Sequence, residues 1–153
     1  MAEAGATIGG RERAGGAPWW FWAVAALSLL WNGFGIFDYL MTQTRNAEYL
    51  AQFTPEQRSF FESFPTWMSV FWALGVWGSF AGSILLLLRS RWAVLAFEIS
   101  LLGLLVSTIA QFTMDMPDSL RTPGMMVMNV VIWASLLFFQ WFALRMRRAG
   151  VLR

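Results

Sequence analysis

The stretch WAVLAFEISLLGLLVSTIAQF, residues Trp92–Phe112, holds one ionisable side chain, Glu98, in an otherwise uncharged and mostly apolar run. A helix of about 20 such residues, rising about 1.5 Å per residue, reaches across a hydrocarbon core of roughly 30 Å. Three further runs of this kind, Trp19–Met41, Thr66–Leu88 and Gly124–Leu144, are set apart by short polar stretches. The sequence therefore predicts an all-α fold, a four-helix transmembrane bundle. Residues 18–148 form the membrane domain, after a Gly- and Ala-rich leader at 1–17 expected to be disordered and before a cytoplasmic tail at 149–153.

Composition supports this reading. Apolar residues make up 58% of the chain and charged residues only 13%, against about 25% charged in a soluble domain. The chain has no Cys and no His, which removes thiol nucleophiles and the commonest general base and metal ligand. It also has no Lys, so Schiff-base chemistry is excluded. No catalytic residues, no metal site and no cofactor are expected, and the protein is read as a non-enzyme. A pI of about 9.9 invites a nucleic-acid reading. The net charge is only +2 and the arginines sit at the ends of the apolar runs, so no nucleic-acid partner is expected.

The arginines set an orientation. With the N-terminus in the cytoplasm, Arg11, Arg13, Arg89, Arg91, Arg145, Arg147, Arg148 and Arg153 lie inside, and only Arg45, Arg58 and Arg121 lie outside. Positive residues resist translocation, so both termini are expected in the cytoplasm. Trp19, Trp20, Trp22, Trp67, Trp92 and Trp141 fall at run ends, where indole rings favour the headgroup boundary. The first run is too long for a signal peptide and ends in Asn32-Gly-Phe-Gly-Ile-Phe-Asp38 instead of a cleavage site.

Between the first two spans lies a long segment, Thr42–Pro65. Within it Thr54-Pro-Glu-Gln57 carries a helix start, with Thr54 as cap, Pro55 at the first helical position and Gln57 three residues after the cap. Residues Pro55–Phe64 are expected to form a short periplasmic interfacial helix with Phe60, Phe61 and Phe64 in the acyl boundary. It serves either as a lid over the bundle or as a gate.

Each of three spans carries one polar stripe. Ser28, Asn32, Gly35 and Tyr39 share a face of the first; Ser100, Gly103, Ser107 and Gln111 share a face of the third. Asn129 and Gln140 align on the fourth. A polar cluster of Asn32, Asp38, Tyr39, Gln111 and Asn129 is expected in the outer half, either as interhelical hydrogen bonds or as a cavity for a small polar solute. Glu98, the one ionisable group well inside a span, needs Arg91 or Gln140 as partner, or else serves as a proton-coupling carboxyl. In the second span Gly75, Gly78 and Gly82 leave room for a neighbouring backbone, either within the chain or in a homodimer.

The stretch Leu30–Asn46, LWNGFGIFDYLMTQTRN, resembles the opening signature of a proteobacterial family of small four-span inner-membrane proteins. Phe53-Thr-Pro-Glu-Gln57, Gly75-Val-Trp-Gly78 and the Gly-Val-Leu-Arg153 ending look like its continuation. Members of that family often carry the label sugar transporter, so the resemblance implies solute transport. Aromatic faces at Tyr39, Trp31 and Trp133 and the amides of Asn32, Asn129 and Gln111 would then suit sugar recognition. Four spans are few for a secondary transporter, so transport would need a homo-oligomer. The other function class is a non-catalytic accessory subunit of a larger membrane complex, packed against it through the Gly-rich second span. Either way the lipid bilayer is the first partner.

Overall fold

The computed structural model describes residues 16–153. The expected leader lies outside the described residues apart from Gly16 and Ala17, and Ala17 already packs against the core. Six helices follow: α1 (Trp19–Gln43), α2 (Ala47–Leu50), α3 (Pro55–Glu62), α4 (Thr66–Leu87), α5 (Trp92–Thr113) and α6 (Pro123–Arg148). The four long ones are each apolar and long enough to cross a bilayer, which makes the chain a multi-pass membrane protein. α6 runs to Arg148, past the apolar run that ended at Leu144. A helix can continue into water on charged residues, whereas hydropathy marks only its part in hydrocarbon.

Local chemistry sets the helix ends. Pro18 and Pro65 cap α1 and α4 in extended conformation, and Pro123 opens α6 behind a Thr122 side chain that accepts from Met125 N at 3.3 Å. Proline suits these places because the first N–H groups of a helix have no partner in it. The ends of α1, α4 and α6 share one closure. Asn46 N donates to Met41 O (3.0 Å), Ser90 N to Leu85 O (2.8 Å) and Val151 N to Met146 O (3.0 Å). Each closure needs a residue with positive φ: Arg45 at 51°, Arg89 at 55° and Gly150 at 71°. Glycine takes that conformation freely, while a residue with a Cβ loses roughly 1 kcal/mol there.

Arg89 has a clear compensation. Its Nε donates to Val151 O at 3.0 Å, Arg91 N donates to Arg153 O at 2.8 Å, and Arg153 N donates to Arg89 O at 2.7 Å. Leu152 is buried in the core by this clasp. The last residues are thus not a free tail beyond the bundle but a strap tied across the α4–α5 turn.

α4 and α5 form the tightest pair. A Cβ at Gly103 would stand 2.4 Å from Gly75 N and 2.6 Å from Phe71 O, and one at Gly78 would stand 3.1 Å from the Ser100 backbone. A Cβ at Gly82 would fall 2.8 Å from the Phe97 ring. The Ser100 hydroxyl donates across this seam to Gly75 O. The glycines of α4 are therefore spent inside the chain, so docking of a foreign subunit through the Gly-rich span, expected above as one option, does not fit.

The main core lies at the end of the bundle that carries the α4–α5 turn. There Phe21 and Ala25 of α1, Leu86 of α4, Phe97 of α5 and Phe139 and Phe142 of α6 pack together. Phe97 stacks on Phe139 with centroids 6.2 Å apart, and Phe21 on Phe142 at 5.9 Å. Toward the opposite end α6 leaves the bundle. Its buried residues begin at Leu136, and every residue from Pro123 to Ile132 is exposed.

Candidate functional site

The amide of Asn32 meets hydroxyls. Its Nδ2 lies 2.9 Å from Ser83 Oγ and 3.4 Å from Ser28 Oγ, and the two serine oxygens are 2.6 Å apart. Ser83 gives its one hydroxyl proton to Ser79 O at 2.9 Å. Both Ser28 and Asn32 must then donate to Ser83, since a hydroxyl carries one proton and two lone pairs. The group joins the middle of α1 to the last turns of α4, and Ser28, Asn32 and Ser83 are all buried. Next to it on α1, Gly35 faces Val76 and Gly33 faces Phe80. Ser79 and Ser83 stand four apart on one face of α4, and that spacing is the signal the sequence carries for this group.

The five residues expected to share a cavity do not meet. Asn32 is buried in this triad, whereas Asp38 is exposed near the end of α1 and accepts from the Tyr49 hydroxyl of α2. Tyr39 sets its ring edge-on to Trp72, with centroids 5.0 Å apart. Gln111 is half-buried near the end of α5, and Asn129 is exposed on the part of α6 that stands clear of the other helices. The physical reason is the divergence of α6, which carries Asn129 away from the stripes of α1 and α5.

Glu98 takes the amide partner: Gln140 Nε2 donates to its Oε1 at 3.2 Å, linking α5 to α6. Gln140 Oε1 is buried with no partner among the described residues. Arg91 turns instead toward Trp92, its guanidinium 5.8 Å from the ring centroid.

The long segment before α4 folds into a cover. Thr54 and Gln57 complete the expected capping box, at 3.3 Å and 3.1 Å. Gln57 also donates from Nε2 to Ser119 O at 3.0 Å, tying α3 to the α5–α6 connection. Phe60 is buried under α3 rather than set in the acyl boundary, because an aromatic relay of Phe60, Phe64, Trp72 and Tyr39 runs from α3 into α4 and α1. Burial, and then the hydrogen bond and charge of Asp38, push the Tyr49 phenol up to about 12.

Beneath this cover lies a polar cavity of about 120 Å³, lined among others by Thr42, Arg45, Arg58, Glu62 and Ser69. Beside it an open apolar groove of about 400 Å³ follows α4 from Thr66 and Ser69 past Ala73 to Trp77 and Gly78, flanked by Tyr39. Ser69 lines both. Arg45 and Arg58 are thirteen residues apart, and no local pattern marks them as neighbours in this lining. Comparison with family models, with curated proteins and with solved structures finds no match to this chain.

Proposed function

We propose that the chain is a non-catalytic accessory subunit of a larger assembly in a bacterial inner membrane, with both termini on the cytoplasmic side. One observation carries this reading. The first half of α6 presents Met125, Met126, Val127, Met128, Val130 and Val131 to its surroundings with Asn129 among them, all exposed. Apolar side chains suit lipid, but an amide does not. Asn129 lies six residues inside the helix start, about 9 Å along its axis, where an unpaired amide costs free energy that a hydrogen bond from another span recovers. The fitting partner is a transmembrane helix that offers an amide or hydroxyl opposite Asn129.

The absence of His, Cys and Lys from the sequence supports a non-catalytic role. Sugar transport, the function implied by the family resemblance, would draw on Asn32, Gln111 and Asn129 together. In this chain Asn32 is committed to Ser28 and Ser83, and Asn129 sits apart. The geometry therefore favours the accessory role.

The test is native mass spectrometry of the tagged full chain, extracted from its own membrane in mild detergent. A second polypeptide in fixed ratio, retained by Asn129→Gln and lost from Asn129→Leu, is the expected result. A chain that runs alone, or a partner indifferent to Asn129→Leu, would sink the proposal. An Asn129-dependent homo-oligomer would put a second copy on this face in place of a foreign subunit. Saturable sugar flux through the purified protein in proteoliposomes would restore transport.

A further inference from the structure

Arg45 and Arg58 both line the cavity beneath the α2–α3 cover, and among the described residues neither guanidinium has an acceptor. The Nε of Arg58 is buried and unpartnered. Arg45 also holds φ at 51°, a conformation better suited to glycine. At the matching end of α4, Arg89 accepts the same backbone strain and uses its side chain to hold Val151 O. Arg45 has the same strain with no acceptor among the described residues, and its side chain is exposed at the rim of the cavity. The exposed carboxylate of Glu62 lies in the same lining, which leaves one net positive charge.

The cavity adjoins the groove on α4 through Ser69. From Thr66 to Gly78 the groove follows twelve residues, about 18 Å at 1.5 Å per residue. One leaflet of hydrocarbon, half of about 30 Å, is about 15 Å deep. An anion-seeking head site thus opens directly onto an apolar track one leaflet long. Arginine pairs favour phosphate oxygens because their N–H groups fit them in two-pronged fashion.

We propose that this composite site holds one phospholipid of the leaflet at the α2–α3 end, its phosphate between Arg45 and Arg58 and one acyl chain along Ala73 and Trp77. The phosphate displaces no existing ion pair, and the chain replaces bulk lipid on a surface already apolar.

Retention of added lipid by the full-length protein in neutral detergent, followed by native mass spectrometry, tests the assignment with three probes: phosphatidylglycerol, diacylglycerol and inorganic phosphate. One phosphatidylglycerol per chain is expected to stay bound, with diacylglycerol lost and inorganic phosphate unable to compete. Arg58→Gln and Arg45→Gly should each weaken retention by about tenfold or more. Arg45→Gly should at the same time raise the melting temperature, because glycine relieves the positive φ. That pairing of tighter fold with weaker lipid separates binding from misfolding. Ala73→Phe, which fills the groove, should weaken phosphatidylglycerol alone. Phosphatidylglycerol retention that is unchanged in both arginine variants, or diacylglycerol held equally well, would overturn the proposal. Inorganic phosphate bound as tightly as lipid, and indifferent to Ala73→Phe, would make this a site for a soluble anion and refute the lipid assignment.

Discussion

Ser83 decides how α1 is tied to α4 with a single proton. By giving it to Ser79 O it becomes an acceptor for both Ser28 and Asn32, and so converts two isolated polar groups of α1 into a cross-link. The sequence disclosed that α1 has a polar face, but an acceptor 51 residues away is not a local property. Tyr49 makes the same point at the membrane edge, where its hydroxyl ties α2 back to Asp38 of α1. The phenol titrates near 12 instead of 10.0, chiefly through burial and secondly through Asp38. A raised pKa means that the folded state favours the neutral phenol. This contribution to stability is complete below pH 10.0 and fades as pH rises through about 12. Tyrosinate absorbance in a Tyr39→Phe background, which leaves Tyr49 as the one tyrosine, should give that midpoint. Asp38→Asn should bring the midpoint down but keep it above 10.0, because burial persists. Titration of the parent at 10.0 itself would contradict the described contact.

Among the elements, α4 and α6 behave in opposite ways. α4 spends its small residues on α5, with Gly103 seated against Gly75 and Phe71 so closely that no side-chain atom fits. Lipid tails are as apolar as leucine, so spans associate through close packing and hydrogen bonds more than through burial. Gly103→Ala should therefore force the two backbones apart and lower stability by about 2 kcal/mol, measured by denaturant unfolding in detergent. Gly16→Ala, which meets nothing within 4 Å, is the matched control and should be silent. Equal stability of the two variants would argue against the α4–α5 seam. α6, by contrast, packs only through its second half, and its first half is left to lipid or to a partner. The start of α3 was legible in advance, because the Thr54–Gln57 box acts within a few residues, and Pro18, Pro65 and Pro123 are equally local signals at the starts of α1, α4 and α6. The strap of Val151–Arg153 was not legible, since it is held by contacts with the distant α4–α5 turn, whereas α2 has a local cap, Asn46 Oδ1 accepting from Tyr49 N at 2.9 Å, that the sequence did offer.

At the scale of the whole molecule, one end is closed and the other divided. The end with the α4–α5 turn combines the aromatic core, the terminal strap and Arg89, Arg91, Arg145, Arg147, Arg148 and Arg153. The opposite end carries the α2–α3 cover, the arginine cavity and the diverging α6. Our proposed orientation places the first in the cytoplasm, on the weight of arginine. The lack of native Cys makes the chain ready for direct labelling. Ser90→Cys should react with a membrane-impermeant maleimide only after the inner membrane is opened, whereas Gln52→Cys should react in intact spheroplasts. The reverse pattern would invert the orientation and with it the leaflet of the lipid site.

The spans, their approximate limits and the helix starts were settled by the sequence alone. In hydrocarbon every backbone polar group must be satisfied within its own helix, so an apolar run of sufficient length has one outcome whatever its neighbours do. Which faces meet was decided only in the tertiary structure. All sides of these helices are apolar enough for lipid, so pairing rests on shape and on a few polar atoms contributed by distant residues. Gly75 against Gly103, Asn32 against Ser83 and Gln140 against Glu98 are matches between separate spans, and no local pattern on either helix specifies its mate.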